Sequence, residues 1–142
     1  MIHGVCALLL VTSFHVQARH TVTVNNRQIT TGQVYELSAL MDDRNSFDEF
    51  YAIVDSSRVF LDFYAPWCGP CNTMSPRFKE LAQEADHVLF IKVNFDEFKG
   101  LCVSLGVRSL PTFISFDKGQ EIARISKGAI PKKELKKLSR IL

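Results

Sequence analysis

Two cysteines stand two residues apart in Trp67-Cys68-Gly69-Pro70-Cys71, directly behind the apolar run Val59 to Tyr64. Thiols at that spacing can close a small, reversible disulfide or supply half of a metal site. Disulfide exchange starts from a thiolate, and a cysteine at a helix N-terminus has unpaired backbone N–H groups and the positive end of the helix dipole beside it. With a helix starting inside the motif, Cys68 is the better nucleophile. It attacks a substrate disulfide, forms a mixed disulfide, and is released when Cys71 attacks it from one turn further along. Gly69 leaves room for a substrate backbone, while Pro70 sets the turn and withholds an N–H that would quench the thiolate. Trp67 offers a flat apolar surface to a substrate, with a core aromatic as the alternative.

Zinc competes for the same pair. Structural zinc takes four ligands, commonly two C-x-x-C pairs or one pair with two spaced histidines. The remaining cysteines are Cys6 and Cys102, and His20 and His87 are isolated. No metal site is expected.

The chain has 142 residues, 46% hydrophobic and 23% charged, which is material for one domain around one core. A formal charge of +2, with Phe the main aromatic and sitting in apolar runs, argues against a nucleic-acid surface. Gly4 to Phe14 is an uncharged, mainly apolar run followed by Val16-Gln17-Ala18. Residues 1–18 therefore read as a signal peptide, too short for the roughly 20 apolar residues of a membrane anchor. That reading implies a secreted, periplasmic or endomembrane-lumen protein; the cytoplasm is the alternative if the segment is retained. Cleavage after Ala18 leaves Cys68, Cys71 and Cys102, an odd set unlike a disulfide framework. Residues 19–36 read as a polar extension, in which Val22, Val24 and Asn25-Asn26 allow a short edge strand or hairpin, with a flexible leader as the alternative.

The elements that must hold the motif alternate in type. Val34 to Leu40 reads as a first strand. Ser46 three residues before Glu49 is a capping-box pattern, opening a helix in which Phe47, Phe50, Tyr51 and Val54 share a face. Val59 to Tyr64 reads as a central strand, interrupted by the single acid Asp62. The next helix runs from the cysteines to about Glu84, with Cys71, Met74, Phe78, Leu81, Ala82 and Ala85 as its buried stripe and Pro76 as a kink. Val88 to Val93 is a strand, Glu97 to Leu105 a helix ended by Gly106, and Thr112 to Phe116 and Glu121 to Ser126 a hairpin around Asp117-Lys118-Gly119. Pro131 opens a last helix. This order argues for an α/β fold, a central sheet with helices on both faces.

From about Leu37 to Leu142 the chain resembles the thioredoxin family. Phe63-Tyr64-Ala65-Pro66-Trp67-Cys68-Gly69-Pro70-Cys71 matches that family's active-site stretch, Pro76 its helix kink, Leu110-Pro111-Thr112 its cis-proline loop, and Gly106 and Gly128 fall at familiar glycines. The resemblance implies a thioredoxin domain over 37–142 with a mixed central sheet. It also implies a thiol–disulfide oxidoreductase that needs no cofactor beyond its own redox-active disulfide. Asp62 stands where the family keeps a buried acid and Lys92 where it has a lysine facing that acid. Asp62, its pKa raised by desolvation, would take the proton from Cys71; an acid merely paired with Lys92 is the alternative. Cys68, Cys71, Asp62 and Lys92 are thus the expected catalytic set, with Trp67, Gly69, Pro70, Leu110 and Pro111 facing substrate. Pro111 in the cis form would keep the preceding backbone open for strand-like pairing. Thioredoxin is the type case of a C-x-x-C thiol pKa near 7 and a potential of about −270 mV, values the resemblance carries over.

The Gly-Pro dipeptide resembles reducing members of the superfamily, since oxidases and isomerases typically carry a His in that turn. The leading expectation is a monomeric protein-disulfide reductase recharged by a thioredoxin reductase or a membrane thiol–disulfide relay. An exported oxidase or isomerase, or a non-catalytic binding module, are the alternatives. Asn72 departs from the Lys that many relatives have after the second cysteine. Cys102 reads as a small buried residue, with a regulatory or dimer-forming thiol as the alternative. Lys127, Lys132, Lys133, Lys136, Lys137 and Arg140, with Leu135, Leu138 and Leu142 as an apolar stripe, read as a solvated basic face or a docking patch for an acidic partner.

Overall fold

The computed structural model describes residues 19–140; the segment read as a signal peptide, residues 1–18, and Leu142 lie outside them. β1 (Thr21–Val24) and β2 (Arg27–Thr30) pair as an antiparallel hairpin. Its two-residue turn is Asn25-Asn26, both at positive φ, 46° and 59°, the backbone that suits the twist of a tight hairpin and that Asn tolerates better than most residues. β3 (Val34–Glu36), β4 (Arg58–Tyr64), β5 (Leu89–Asn94), β6 (Thr112–Asp117) and β7 (Gln120–Ile125) form a second sheet in the order β3-β5-β4-β6-β7. β3, β5 and β4 run parallel, and β6 and β7 turn antiparallel. The sheet is mixed, as expected.

The period of two sends alternate residues of each strand to opposite faces. Val59, Leu61 and Phe63, with Leu89, Ile91, Val93, Ile114 and Phe116, pack against α1 (Phe47–Ser56) and α3 (Lys99–Ser104). Phe60, Phe90 and Phe113 meet Met74, Phe78 and Leu81 of α2 (Gly69–Glu84) and Leu135 and Leu138 of α4 (Lys132–Arg140). Phe60, Phe78 and Phe90 sit with ring centroids 5.1 to 5.5 Å apart, in tilted and edge-on pairs, arrangements aromatic quadrupoles favour. That cluster fixes the middle of α2 on the sheet. Its N-terminus then falls at the C-terminal end of β4.

The turn before β7 explains one glycine. Gly119 has φ +83°, which strains any other residue, and a Cβ there would lie 2.0 Å from Asp55 Oδ1 and push that carboxylate aside.

Three expectations change. Val34 to Leu40 is not one strand: β3 stops at Glu36 and a single 3-10 turn, Leu37–Ala39, follows. On α1 the buried residues are Phe50, Ile53 and Val54, whereas Phe47 and Tyr51 are 41% and 44% exposed. The aromatic pair fits a helical period, but among the described residues no element covers that side. The capping pattern is also divided: Ser46 Oγ accepts from the Glu49 N–H at 3.2 Å, while the Glu49 carboxylate accepts from Asp42 N–H at 2.7 Å instead of from Ser46.

The polar stretch 19–36 takes the hairpin alternative and packs on the domain. Val24 and Ile29 are buried with Leu37, Leu40 and Met41, and β3 lies inside the main sheet. Asn25 Nδ2 and Arg27 Nη1 both donate to Leu40 C=O, at 3.2 and 3.1 Å, and Thr31 Oγ1 donates to Asp86 C=O. Packed structure therefore begins ahead of the boundary placed at Leu37.

Candidate functional site

β4 ends at Tyr64, and Ala65-Pro66-Trp67 carries the chain to the first turn of α2. Cys68 occupies the cap position: its Sγ accepts from the Cys71 N–H at 3.3 Å. The two sulfurs are joined as a disulfide, with Cα atoms 5.3 Å apart. Cys68 thus sits where, once reduced, backbone N–H groups and the dipole's positive end would support a thiolate. Pro70 fills an early helical position where no N–H is needed. α2 runs on unbroken through Pro76 to Glu84.

Trp67, Cys68, Gly69 and Pro70 form one wall of an open groove of about 390 Å³, and Phe95, Arg108, Ser109 and Leu110 form the other. Trp67 is 69% exposed, so it is a surface platform and not a core aromatic. Its indole Nε1 donates to Asp96 Oδ2 at 3.0 Å, which fixes the ring's direction. A Cβ built on Gly69 meets no atom within 4 Å; the protein's own packing does not require glycine there, and the free space faces outward. The Leu110–Pro111 peptide bond is cis. Asn72, next to the second cysteine, adds no charge; among the described residues Arg108 is the charged one lining the groove.

Beneath α2 lies Asp62. On β4 it shares a face with Phe60, which packs under Phe78, and with Tyr64, which packs against the cysteine pair. The alternation therefore sets its carboxyl under the first turns of α2. It is fully buried, and neither oxygen has a hydrogen-bond partner among the described residues. Lost hydration pushes its pKa up to about 7, against a partial lowering by Lys92 and a further rise from Glu36. Lys92 is its register neighbour on β5 but makes no ion pair with it. The ammonium lies 3.8 Å from the Tyr64 ring centre and 3.4 Å from Ser75 Oγ.

The structure thus brings Trp67, Cys68, Gly69, Pro70, Cys71, Leu110 and Pro111 to one end of the sheet, with Asp62 and Lys92 behind them. Sequence reasoning missed Phe95, Asp96, Arg108 and Ser109. A signal existed: residues just after β5 and just before Leu110-Pro111 must flank whatever stands at the C-terminal end of β4.

Cys102 is a fully buried residue of α3, and burial pushes its thiol up to about 11. A dimer-forming role would need that helix to open. The basic stretch is only partly a free face: Lys132 binds Glu80 and Glu84 at 2.8 and 2.9 Å, Lys136 also binds Glu84, and Lys127 binds Glu134 at 2.7 Å.

Comparison with known proteins agrees with this geometry. A family profile described as thioredoxin matches residues 39–140, leaving the β1–β2 hairpin outside it. Thioredoxin 1 of Synechococcus elongatus is 44% identical over 78 residues, which is 54% of this chain and 72% of its own length. The thioredoxin of Mycoplasma pneumoniae is 41% identical over 83 residues, 58% of this chain and 80% of its own. Among solved structures, oxidized mitochondrial thioredoxin 3 of Saccharomyces cerevisiae superposes with a TM-score of 0.63 at 30% identity, covering 78% of this chain and 95% of that one. The thioredoxin of Malassezia sympodialis does so with 0.64 at 32%, covering 76% and 92%.

Proposed function

The chain belongs to the thioredoxin family, is a thiol–disulfide oxidoreductase, and from that premise we propose that it acts as a protein-disulfide reductase. The observation that carries the reading is the helix-capping Cys68, joined to Cys71 by a disulfide across a Gly-Pro turn and lining an open groove with Trp67 and Leu110.

In the reduced protein the Cys68 thiolate attacks one sulfur of a substrate disulfide, and the other substrate sulfur leaves as a thiolate. Asp62 takes the proton from the Cys71 thiol as Cys71 attacks Cys68 Sγ. The mixed disulfide breaks, the second substrate sulfur leaves, and Cys68–Cys71 is again a disulfide. Two electrons have passed to the substrate. The open groove beside an exposed indole suits an extended protein segment better than an enclosed small molecule.

Thioredoxins act on disulfide substrates with reductase partners. For this chain the donor is a flavin-dependent thioredoxin reductase using NADPH in a cytoplasmic setting, or a membrane thiol–disulfide relay if residues 1–18 direct export. N-terminal sequencing of the mature protein separates the two: a start at Arg19 supports export, and a start at Met1 defeats it. The direction of electron flow is tested by the reduction potential of the Cys68–Cys71 couple. A value near the −270 mV of thioredoxin, the family's own type case, supports the reductase; one of about −120 to −180 mV overturns it.

A further inference from the structure

Three ionisable side chains form a row across three neighbouring parallel strands. Glu36 of β3 pairs in register with Lys92 of β5, and Lys92 with Asp62 of β4. Residues in register project to the same face, so the row runs acid, base, acid from the sheet edge to its buried centre. The simplest outcome would be a Lys92–Asp62 ion pair, because an adjacent opposite charge favours the ionised form of a buried carboxyl. It does not form.

Lys92 Nζ is engaged elsewhere, 3.8 Å from the Tyr64 ring centre and 3.4 Å from Ser75 Oγ, while both Asp62 oxygens lack a hydrogen-bond partner among the described residues. The ring that receives the ammonium is itself tied down: Tyr64 OH donates to Glu36 Oε2 at 3.0 Å. We propose that Glu36 and Tyr64 are positioning residues that draw Lys92 onto the Tyr64 ring and away from Asp62, so that Asp62 keeps the basicity to take the Cys71 proton.

The physics is a competition for one cation. An ammonium over an aromatic face is attracted by the ring quadrupole, and the anionic Glu36, exposed at the edge strand, holds that ring from its hydroxyl end. Glu36 therefore acts twice, by anchoring Tyr64 and by opposing a second negative charge at Asp62. Around Asp62 the charged groups are Lys92 from β5 and Glu36 from β3. β6 places Phe113 beside it, and α2, packed on that face, brings Ser75 and Cys71, of which Cys71 titrates when reduced. The proposal rests on the reading of Asp62 as the base for Cys71. Its geometric half, where Lys92 sits, is independent of that reading.

The test follows the Asp62 carboxyl directly, by carbon NMR of the full chain in its oxidised form, with the resonance assigned by its loss in Asp62→Asn. Tyr64→Leu removes the ring, and the Asp62 midpoint is expected to fall by about one pH unit as Lys92 closes on the carboxylate. Tyr64→Phe keeps the ring without its anchor and gives a smaller fall, and Glu36→Gln moves the midpoint in the same direction. In a Lys92→Met background Tyr64→Leu should leave the midpoint where Lys92→Met alone puts it. No fall in any Tyr64 or Glu36 variant overturns the proposal, and so does an equal fall without Lys92, which would mean a local packing effect. If the midpoint falls as expected yet the pH–rate profile of mixed-disulfide resolution stays in place, the positioning stands and the role of Asp62 as base is what fails.

Discussion

The two ends of α2 treat a carboxylate in opposite ways. Under the N-terminal end, Asp62 is fully buried without a hydrogen-bond partner among the described residues, and lost hydration holds its pKa up at about 7. At the C-terminal end, Glu84 is 40% exposed and accepts hydrogen bonds from Lys136 and Lys132, which bring its pKa down to about 2. An anion there opposes the negative end of the helix dipole, and the lysines of α4 offset that cost. One end therefore keeps an acid unpaired, at a cost in stability, where a proton must move. The other pairs its acid in water, where pairing contributes little energy and only fastens α4 to α2.

The sharpest way to break the comparison is to exchange the consequences. Cys68→Ser at the reactive end should abolish insulin-disulfide reduction. Cys71→Ser should leave the first attack intact and stall it, giving a mixed-disulfide adduct visible by mass spectrometry. Glu84→Gln should leave turnover within about twofold of the parent, since an exposed ion pair far from the cysteines contributes weakly. A loss of turnover in Glu84→Gln comparable to that in Cys71→Ser would show that the two ends are coupled, and the division of labour would fall.

Asp62→Asn gives the next largest effect. Its carboxyl has a folded-state pKa raised from 3.8 to about 7, so between those values the folded chain holds a proton the unfolded chain has released. Stability is then fully present below about pH 4 and declines as pH rises to about 7, by roughly 4 kcal/mol in total. Asparagine cannot ionise, so urea unfolding of the oxidised protein at pH 8 should find Asp62→Asn more stable than the parent by a similar amount, with the two converging at pH 4. The same variant should slow resolution of the mixed disulfide at pH 8. Equal stability at pH 8 would mean that Asp62 ionises in the fold without cost.

Much of this arrangement was legible in the residues. The C-x-x-C spacing, Ser46 before its helix, the Val59–Tyr64 run and the glycines that end elements are local signals, each set within a few residues of the structure it specifies. Asp62 stood out because a lone acid in an apolar strand is costly unless used. What stayed hidden depended on partners distant in sequence. Phe47 and Tyr51 have a helical spacing, but nothing in α1 says that no described element covers that side. Val24 and Ile29 lie in a polar stretch, and only the folded chain shows Leu37, Leu40 and Met41 waiting beneath them. Lys92 was placed beside Asp62, yet its ammonium lies over the Tyr64 ring, whose hydroxyl is bound by Glu36 on the neighbouring strand β3.

The smallest effects test whether the two ends are independent. Glu84 has a depressed pKa, so whatever it contributes is present above about 4.5 and is lost as pH falls towards about 2. Solvent screening limits that contribution to about 1 kcal/mol or less. Glu84→Gln should therefore lower the urea midpoint slightly at pH 7 and hardly at all at pH 2, the reverse of the trend at Asp62. α2 has 16 residues and so spans roughly 24 Å, beyond the separation at which stability changes normally couple. In the double variant Asp62→Asn with Glu84→Gln the two changes should add to within about 0.5 kcal/mol. A larger discrepancy at pH 8 would show that α2 transmits strain from the α4 seam to the base of the cysteine pair, and the two ends would have to be treated as one site.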